Sequence, residues 1–334
     1  MGKGWDKGVP GVEFWEDIAS ASKPGAHLLS FGGSRTYHRM ASAVEDAGWE
    51  IRDQIMWLYG SGFPKSLNVS KALDKANHAK RKVAEWAGWG TALKPAHEPI
   101  VVARKPLIGT ITQNILAHGT GALNIEACRI GTQKEVPASP SRHLDTLTHG
   151  KYGAEDGTAG GFNPNLGRWP ANVIHDGSKE VLNYFPSTNP SRKGKPRAGK
   201  SGNGWGMTAT GAEYDDEGSA ARFFYAAKAA RSERNLGLDG KELLRVDKTH
   251  SDGRVWDIPG SHSKPRQNDH PTVKPLSLME YLLKLVAFPK AVILDPFAGS
   301  GSTLIAAARL GIKCVGIELE ERYCELAAAR IRGC

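Results

Sequence analysis

The sequence predicts an α/β fold interrupted by a long, irregular insertion, and three observations carry that prediction. Segments of helical and strand period alternate from Met1 to about Leu73. Gly, Pro, Ser, Thr and Asn then crowd the stretch from roughly Thr110 to Asn268, where periodic segments are brief. After Asp269 the α/β pattern returns and ends in "AVILDPFAGSGSTLIAAARLGIKCVGIE", Ala291 to Glu318: an apolar strand, a glycine-rich turn, a short helix, a second strand and an acid.

In chain order, "GVEFWEDIASAS" places apolar residues at helical spacing, and "AHLLSFGG" is a compact apolar run after the turn-forming "KPG". "YHRMASAVEDAGW" reads as a second helix closed by Gly48, and "EIRDQIMWLYG" as a second strand. "HEPIVVARKPL", His97 to Leu107, is one more strand. Within the insertion, "GSAARFFYAAKAARSERN" is a brief periodic segment, and Trp169, Trp205, Phe223, Phe224 and Tyr225 offer anchors for packing. "PLSLMEYLLKLVAF" is an amphipathic helix in which Ser277 and Glu280 have the spacing of a capping box. Three regions are expected: 1–109, 110–268 and 269–334.

Composition bounds the function. The 334 residues allow two domains or one elaborated α/β domain. No stretch approaches the ~18 apolar residues of a membrane span, and the N-terminus has no apolar signal region, so the cytoplasm is the expected compartment. Cys128, Cys314, Cys324 and Cys334 are too scattered for a disulfide framework and form no Cys-x-x-Cys pair; reduced thiols are expected, and no metal site. The formal net charge of +9 suits a polyanionic partner. In "RKGKPRAGK", Arg192 to Lys200, five of nine residues are basic and none is acidic. Arg192, Lys193, Lys195 and Arg197 are therefore candidate contacts to phosphates, with a solvated linker as an alternative of nearly equal weight on this stretch alone.

The strand before Asp295 runs through Pro296, Phe297 and Ala298 into Gly299, Ser300 and Gly301, which permit a sharp turn and close approach of a ligand to backbone N–H groups. No Lys follows the last glycine, which excludes a phosphate P-loop, and Leu304 stands where a dinucleotide fingerprint has its third glycine. Glu318 ends the second strand seventeen residues after Gly301, where an acid accepts ribose hydroxyls. Two glycines alone would be a structural turn; the ordered set is much more specific.

At these residues the chain resembles a family. "DPFAGSGST" is similar to the S-adenosylmethionine-binding motif of DNA amino-methyltransferases, and "HPTVKPLSLMEYLL" resembles the segment that in those enzymes closes over the methionine part of the cofactor. Their order resembles the circularly permuted β class, with a Rossmann-like sheet, a catalytic half first, a target-recognition region next and the cofactor half last. That permutation accounts for a nucleotide-binding unit so late in the chain, since a parallel sheet depends on spatial order more than chain order. The resemblance implies that Phe297, Gly299, Gly301 and Thr303 shape the cofactor seat, Asp295 orients the turn and Glu318 holds the ribose. It implies that Thr272 and Lys274 meet the methionine carboxylate; for Lys274 a surface lysine at a helix start is an equal alternative. His270 is expected to be a structural hydrogen-bonder rather than a metal ligand.

Enzymes of this resemblance flip the target base and grip its amino group with Asp, Asn or Ser followed by Pro-Pro and an aromatic. No Pro-Pro pair occurs in the chain, so no catalytic residue is assigned. The strand that carries the tetrapeptide lies beside the cofactor strand in such sheets, so Val292–Leu294 is expected to lack one neighbour. The expected causes, in order, are a miscalled start or a fragment, a decayed pseudoenzyme, and a strand supplied by a partner; little or no methyl transfer is expected of the chain. Trp5, Asp6, Gly32, Gly33 and Arg35 are expected to border the base pocket. The expected function is site-specific methyl transfer to double-stranded DNA, as in restriction-modification, with adenine N6 favoured over cytosine N4. The alternatives are an inactive DNA-binding fragment that retains the cofactor and, more remotely, a nicotinamide-dependent oxidoreductase.

Overall fold

The computed structural model describes residues 8–76, 80–131, 167–189, 216–227, 232–238, 267–288 and 290–334. Among them the first elements follow the hydrophobic pattern: α1 (Val12–Ala21), β1 (His27–Phe31), α2 (Tyr37–Asp46) and β2 (Glu50–Leu58). α2 buries Met40 and Val44, four residues apart on one face, and Gly48 at φ +84° lets the chain leave the helix. These side chains meet Trp15 of α1, Leu28 and Trp49 in one apolar cluster, where the Trp49 indole N–H donates to the Trp15 carbonyl at 3.1 Å.

Two short helices, α3 (Val69–Lys75) and α4 (Lys80–Glu85), separate β2 from β3 (His97–Arg104). β3 is buried from Pro99 to Arg104 because it is central: β1 and β2 flank it, both antiparallel, with Leu29 opposite Val102 and Gln54 opposite Val101. α5 (Ile111–His118) opens on a capping box between Thr110 and Gln113 and ends on Gly119 at φ +71°. β4 (Val173–His175) pairs parallel to β2, so the segment read as an insertion contributes to the main sheet. α6 (Lys179–Leu182), the pair β5 (Ser187–Thr188) and β6 (Gly218–Ser219), and β7 (Tyr225–Ala226) follow; β7 completes a mixed sheet of order β1-β3-β2-β4-β7.

The last third holds α7 (Leu276–Val286), β8 (Val292–Asp295), α8 (Ser302–Arg309), β9 (Lys313–Gly316) and α9 (Glu321–Arg332). Seven of the eleven α7 residues are buried, because the helix lies between elements from both parts of the fold: Trp57, Ile100 and Ile174 of the main sheet, and Ala306 and Ala307 of α8. Each such leucine removed from water stabilises the fold by roughly 1.5–3 kcal/mol. β8 and β9 pair parallel as a separate two-stranded sheet; among the described residues β8 has no other strand neighbour, and Val292, Leu294, Val315 and Ile317 are exposed.

Two packing expectations are corrected. α7 has no capping box: it starts one residue before Ser277, at Leu276, with Pro275 as N-cap. Ser277 is therefore inside the first turn and not at the N-cap position, and the Leu276 N–H donates to Glu233 Oε2 at 3.3 Å. Glu280 pairs with Arg309 at 3.2 Å. Trp169 is 64 % exposed, with the Arg129 guanidinium 5.5 Å from its ring, so it is no core anchor. Tyr225 is one, stacked on Tyr281 at 4.0 Å, while Phe223 lies under the guanidinium groups of Arg168 and Arg222. Trp205 lies outside the described residues. All four cysteines are free, and burial pushes the Cys128 and Cys314 thiols up to about 11.

Candidate functional site

The turn between β8 and α8 is built on two glycines that nothing larger could replace. Gly299 and Gly301 have φ of +53° and +80°, where a side chain is strained. A Cβ on Gly299 would stand 2.8 Å from the His270 ring, and one on Gly301 would stand 2.9 Å from the Ala327 Cβ. The backbone thereby lies directly on α9 and on the segment before α7, and α8 begins with first-turn amides that have no acceptor within the helix. Thr303 is half-buried in that first turn.

Two carboxylates hold the turn from the front. Asp295 Oδ1 accepts the Phe297 N–H at 3.1 Å. Glu318 Oε2 accepts the Gly299 N–H at 2.8 Å, and its Oε1 accepts the Glu320 N–H at 3.0 Å. A carboxylate has about four acceptor positions, so Glu318 is oriented by two bonds and retains acceptor capacity at the mouth of the turn. Backbone bonds from Ala298 N to Ile317 O, and from Ile317 N to Asp295 O, both 2.9 Å, bring the ends of β8 and β9 together. Phe297 is exposed, with its ring 5.1 Å from Phe14 of α1. The mouth thus borders the first part of the chain.

Behind the turn the supports are buried and polar. His270 Nδ1 accepts the Thr272 N–H at 3.3 Å, which places the ring proton on Nε2, facing Gly299; the ring also meets Tyr323 edge-on at 4.5 Å. Asn268, fully buried, accepts the His270 N–H at 3.1 Å and donates to the Arg234 carbonyl at 2.8 Å. Arg330 has no exposed surface; it donates to the Ser300 carbonyl at 2.5 Å and hydroxyl at 3.0 Å, and to the Glu233 carbonyl at 2.8 Å. Burial lowers its guanidinium to about 10.

The predicted residues divide into two groups. Asp295, Phe297, Gly299, Gly301, Thr303 and Glu318 share the turn, with His270 behind it. Lys274 is elsewhere: its Nζ is 2.6 Å from Glu98 Oε2 on β3 and lies over the rings of Phe31, at 4.9 Å, and Trp57, at 5.9 Å. It joins the segment before α7 to the carboxyl ends of β1 and β2. Thr272 is exposed, and its hydroxyl lies 3.5 Å from His270 Nδ1. Gly33 and Arg35 are exposed beyond the end of β1, where the Gly32 N–H donates to the Pro99 carbonyl at 2.8 Å. Trp5, Asp6, Arg192, Lys193, Lys195 and Arg197 lie outside the described residues. Among the described residues no group of three His, Cys, Asp or Glu could hold a metal ion, and no helix is long and apolar enough to cross a membrane. Sequence reasoning missed Arg330, whose partners Ser300 and Glu233 are distant in the chain, and Asn268, which joins nearby His270 to distant Arg234. It also missed Glu98, although an acid at the head of an otherwise apolar strand was a visible signal.

The family model described as DNA methylase matches residues 11–329. The type II methyltransferase M2.MboI of Moraxella bovis is 35 % identical over 114 residues, 34 % of this chain and 41 % of that protein. The type II methyltransferase M.HindIII of Haemophilus influenzae is 21 % identical over 324 residues, 96 % of this chain and 68 % of that protein. An Escherichia coli (strain K12) relative is 50 % identical over 54 residues, 16 % of this chain and 24 % of its own length, so the chain matches less than half of two of these three relatives. Among solved structures, the cytosine-N4-specific PvuII DNA methyltransferase is 13 % identical with a TM-score of 0.42, covering 96 % of this chain and 68 % of that one. With a family match running over nearly its whole length, the chain belongs to the DNA methylase family.

Proposed function

We propose that the chain carries the cofactor seat of an S-adenosylmethionine-dependent DNA amino-methyltransferase, acting on an exocyclic amino group of a base in double-stranded DNA, adenine N6 in preference to cytosine N4. The observation that carries the reading is the Glu318 carboxylate, fixed on the Gly299 N–H at the mouth of a turn whose glycines leave no room for a Cβ. That cradle fits an adenosine: the carboxylate accepts from vicinal ribose hydroxyls, the bare backbone admits close approach, and the exposed Phe297 ring offers an apolar face. When bound, S-adenosylmethionine supplies an electrophilic methyl group on a sulfonium. The chain's residues bind and orient: Asp295 and Glu318 hold the turn, while His270 and Arg330 brace it from behind.

The order of parts, with β1 to β3 ahead of the cofactor unit, supports the permuted arrangement of the β class, with 110–268 as its target-recognition region. Thr272 and Thr303 border the seat. Lys274, engaged with Glu98, fits a link between the two halves better than a direct cofactor ligand. The test is equilibrium binding of S-adenosylmethionine against NAD, followed by nucleoside analysis of DNA exposed to the protein and labelled cofactor. Preferential binding of S-adenosylmethionine is expected; with no Pro-Pro tetrapeptide in the chain little transfer is expected, and any label that reaches DNA should appear as N6-methyladenine. Tighter binding of NAD would overturn the reading, and N4-methylcytosine would overturn the base preference.

A further inference from the structure

The excursion between β2 and β3, residues 59–96, has a composition that the cofactor seat does not use. It holds seven Lys and Arg against two acids, a balance of +5 in a chain whose total is +9. Lys65, Lys71 and Lys75 are exposed, the last two four residues apart on one face of α3. Among them stand large apolar groups in water: Phe63 is 81 % exposed, Trp89 59 % and Leu93 93 %. Trp86 and Trp89 meet edge-to-face at 5.0 Å.

This is a built module. Asn68 caps α3 and bridges to Gly90, and the Val69 N–H donates to the Trp89 carbonyl at 3.2 Å. Thr91 ties the neck to Ser66 and Leu67: its N–H donates to Ser66 Oγ at 2.9 Å, and its Oγ1 accepts the Leu67 N–H at 3.0 Å. The tryptophans are thus held at a closed neck, with the lysines beside them. Its position is equally defined. It leaves the sheet after Leu58 and returns at His97, at the strand ends where Trp57, Phe31 and Glu98 converge on Lys274, and the Gly60 N–H donates to Asp176 Oδ2 at 2.9 Å beyond the end of β4.

We infer that residues 59–76 and 83–96 form a DNA-docking surface, in which Lys65, Lys71 and Lys75 follow the phosphate backbone and the exposed aromatic rings lie against sugars and bases. The inference rests on DNA being the substrate, as proposed above, and adds a contact surface separate from the Arg192–Lys200 run. Charge complementarity commits it to a polyanion. Exposed aromatic rings beside lysines, at the end of the sheet where Lys274 docks on Glu98, favour nucleic acid over an anionic membrane.

The test compares the full chain, the triple variant K65Q/K71Q/K75Q and W89A in binding to a fluorescent duplex over a range of salt concentrations, with S-adenosylmethionine titration and thermal melting as fold controls. The triple variant should flatten the slope of log K against log salt by about two to three units, near 0.9 per phosphate neutralised, and weaken binding on the order of tenfold or more. W89A should weaken binding and leave the slope unchanged. If the parent chain binds DNA and the triple variant keeps its affinity and slope, this inference alone falls. Failure of the parent chain to bind DNA at any salt would overturn the proposed function together with it. Loss of binding to phosphatidylserine vesicles with DNA binding intact would assign the surface to membranes and overturn it too.

Discussion

Replacing Glu318 tests the site most directly, because its carboxylate has two measurable duties. In the free protein it accepts the Gly299 N–H at 2.8 Å and the Glu320 N–H at 3.0 Å. Charge-assisted bonds of this kind contribute about 1.5–3 kcal/mol each when buried, and less in this half-buried position. Glu318→Ala removes both acceptors and should lower stability by about 1–2 kcal/mol. In the complex the same oxygens would accept from the ribose, so S-adenosylmethionine binding should weaken by a further 1–3 kcal/mol or so, about 5- to 150-fold in Kd. Glu318→Gln separates the duties. Its carbonyl retains one neutral acceptor for Gly299, while its NH₂ sets donor against donor at the other position. The glutamine variant should therefore recover much of the stability and little of the affinity. Calorimetric titration of the cofactor, alongside chemical denaturation, reads both quantities. Equal affinities in the three proteins, with all of them folded, would refute the assignment of Glu318 to the ribose.

Neutralising Arg192, Lys193, Lys195 and Arg197 together should weaken binding to every duplex alike and flatten the salt dependence by roughly one unit for each phosphate no longer neutralised; an unchanged slope in fluorescence anisotropy would return the segment to the status of linker. Burial, with the nearby charges of Arg104 and Arg52, pushes the His27 imidazole down from 6.5 to about 4. Because the folded pKa is the lower one, the stabilisation is complete above about pH 6.5 and is lost as pH falls toward 4. Denaturation curves should show about 2 kcal/mol less stability at pH 5 than at pH 7 from this group, a difference that His27→Gln abolishes. Arg330→Met leaves the Ser300 and Glu233 carbonyls without their buried donor and should cost about 2–4 kcal/mol, read as a fall in Tm.

Much of the architecture was legible because it is local. α2 buries one face at helical spacing, α7 is apolar on more than one face, and β1 and β3 are compact apolar runs, while β2 becomes apolar only in its second half. β4 and β7 were not legible: three and two residues carry no period and become strands only by pairing with β2 and with each other. α5 was available in principle, since Thr110 and Gln113 spell a capping box, but it sits where glycine and threonine begin to dominate. At the site, the glycines, Asp295 and Glu318 could be read from spacing because one turn holds them all. Lys274 could not be placed, because its environment is Glu98, Phe31 and Trp57, from a different stretch of the chain. Glu233 was likewise hidden: a helix amide satisfied by a carboxylate forty-three residues upstream leaves no local pattern.

These long-range contacts decide what keeps the glycine turn in shape. A parallel pair of four-residue strands is too small to be stable alone, and here the pair has exposed aliphatic side chains on one face. Its rigidity must come from behind, where α7 and α8 supply apolar burial and Arg330, Asn268 and His270 supply buried hydrogen bonds. Two of those bonds end on the backbone of Glu233 and Arg234, and Arg234 in turn donates to the Asn268 carbonyl at 2.9 Å and the His270 carbonyl at 2.7 Å. Glu233 and Arg234 lie toward the C-terminal end of the region proposed to recognise DNA. Of the earlier pieces of that region, β4 is hydrogen-bonded onto β2 and β7 onto β4, in the sheet that packs against α7. A displacement of the 232–238 segment when DNA binds would therefore act on Ser300 through Arg330 and on Gly299 through His270. Cofactor affinity and DNA binding are then coupled through buried contacts of one network, and by linkage the coupling must read the same in both directions. Titrating S-adenosylmethionine with and without duplex, in the parent chain and in Arg330→Lys, measures it: the parent should show a change in Kd that the lysine variant reduces, and an identical coupling in both would remove Arg330 from the route.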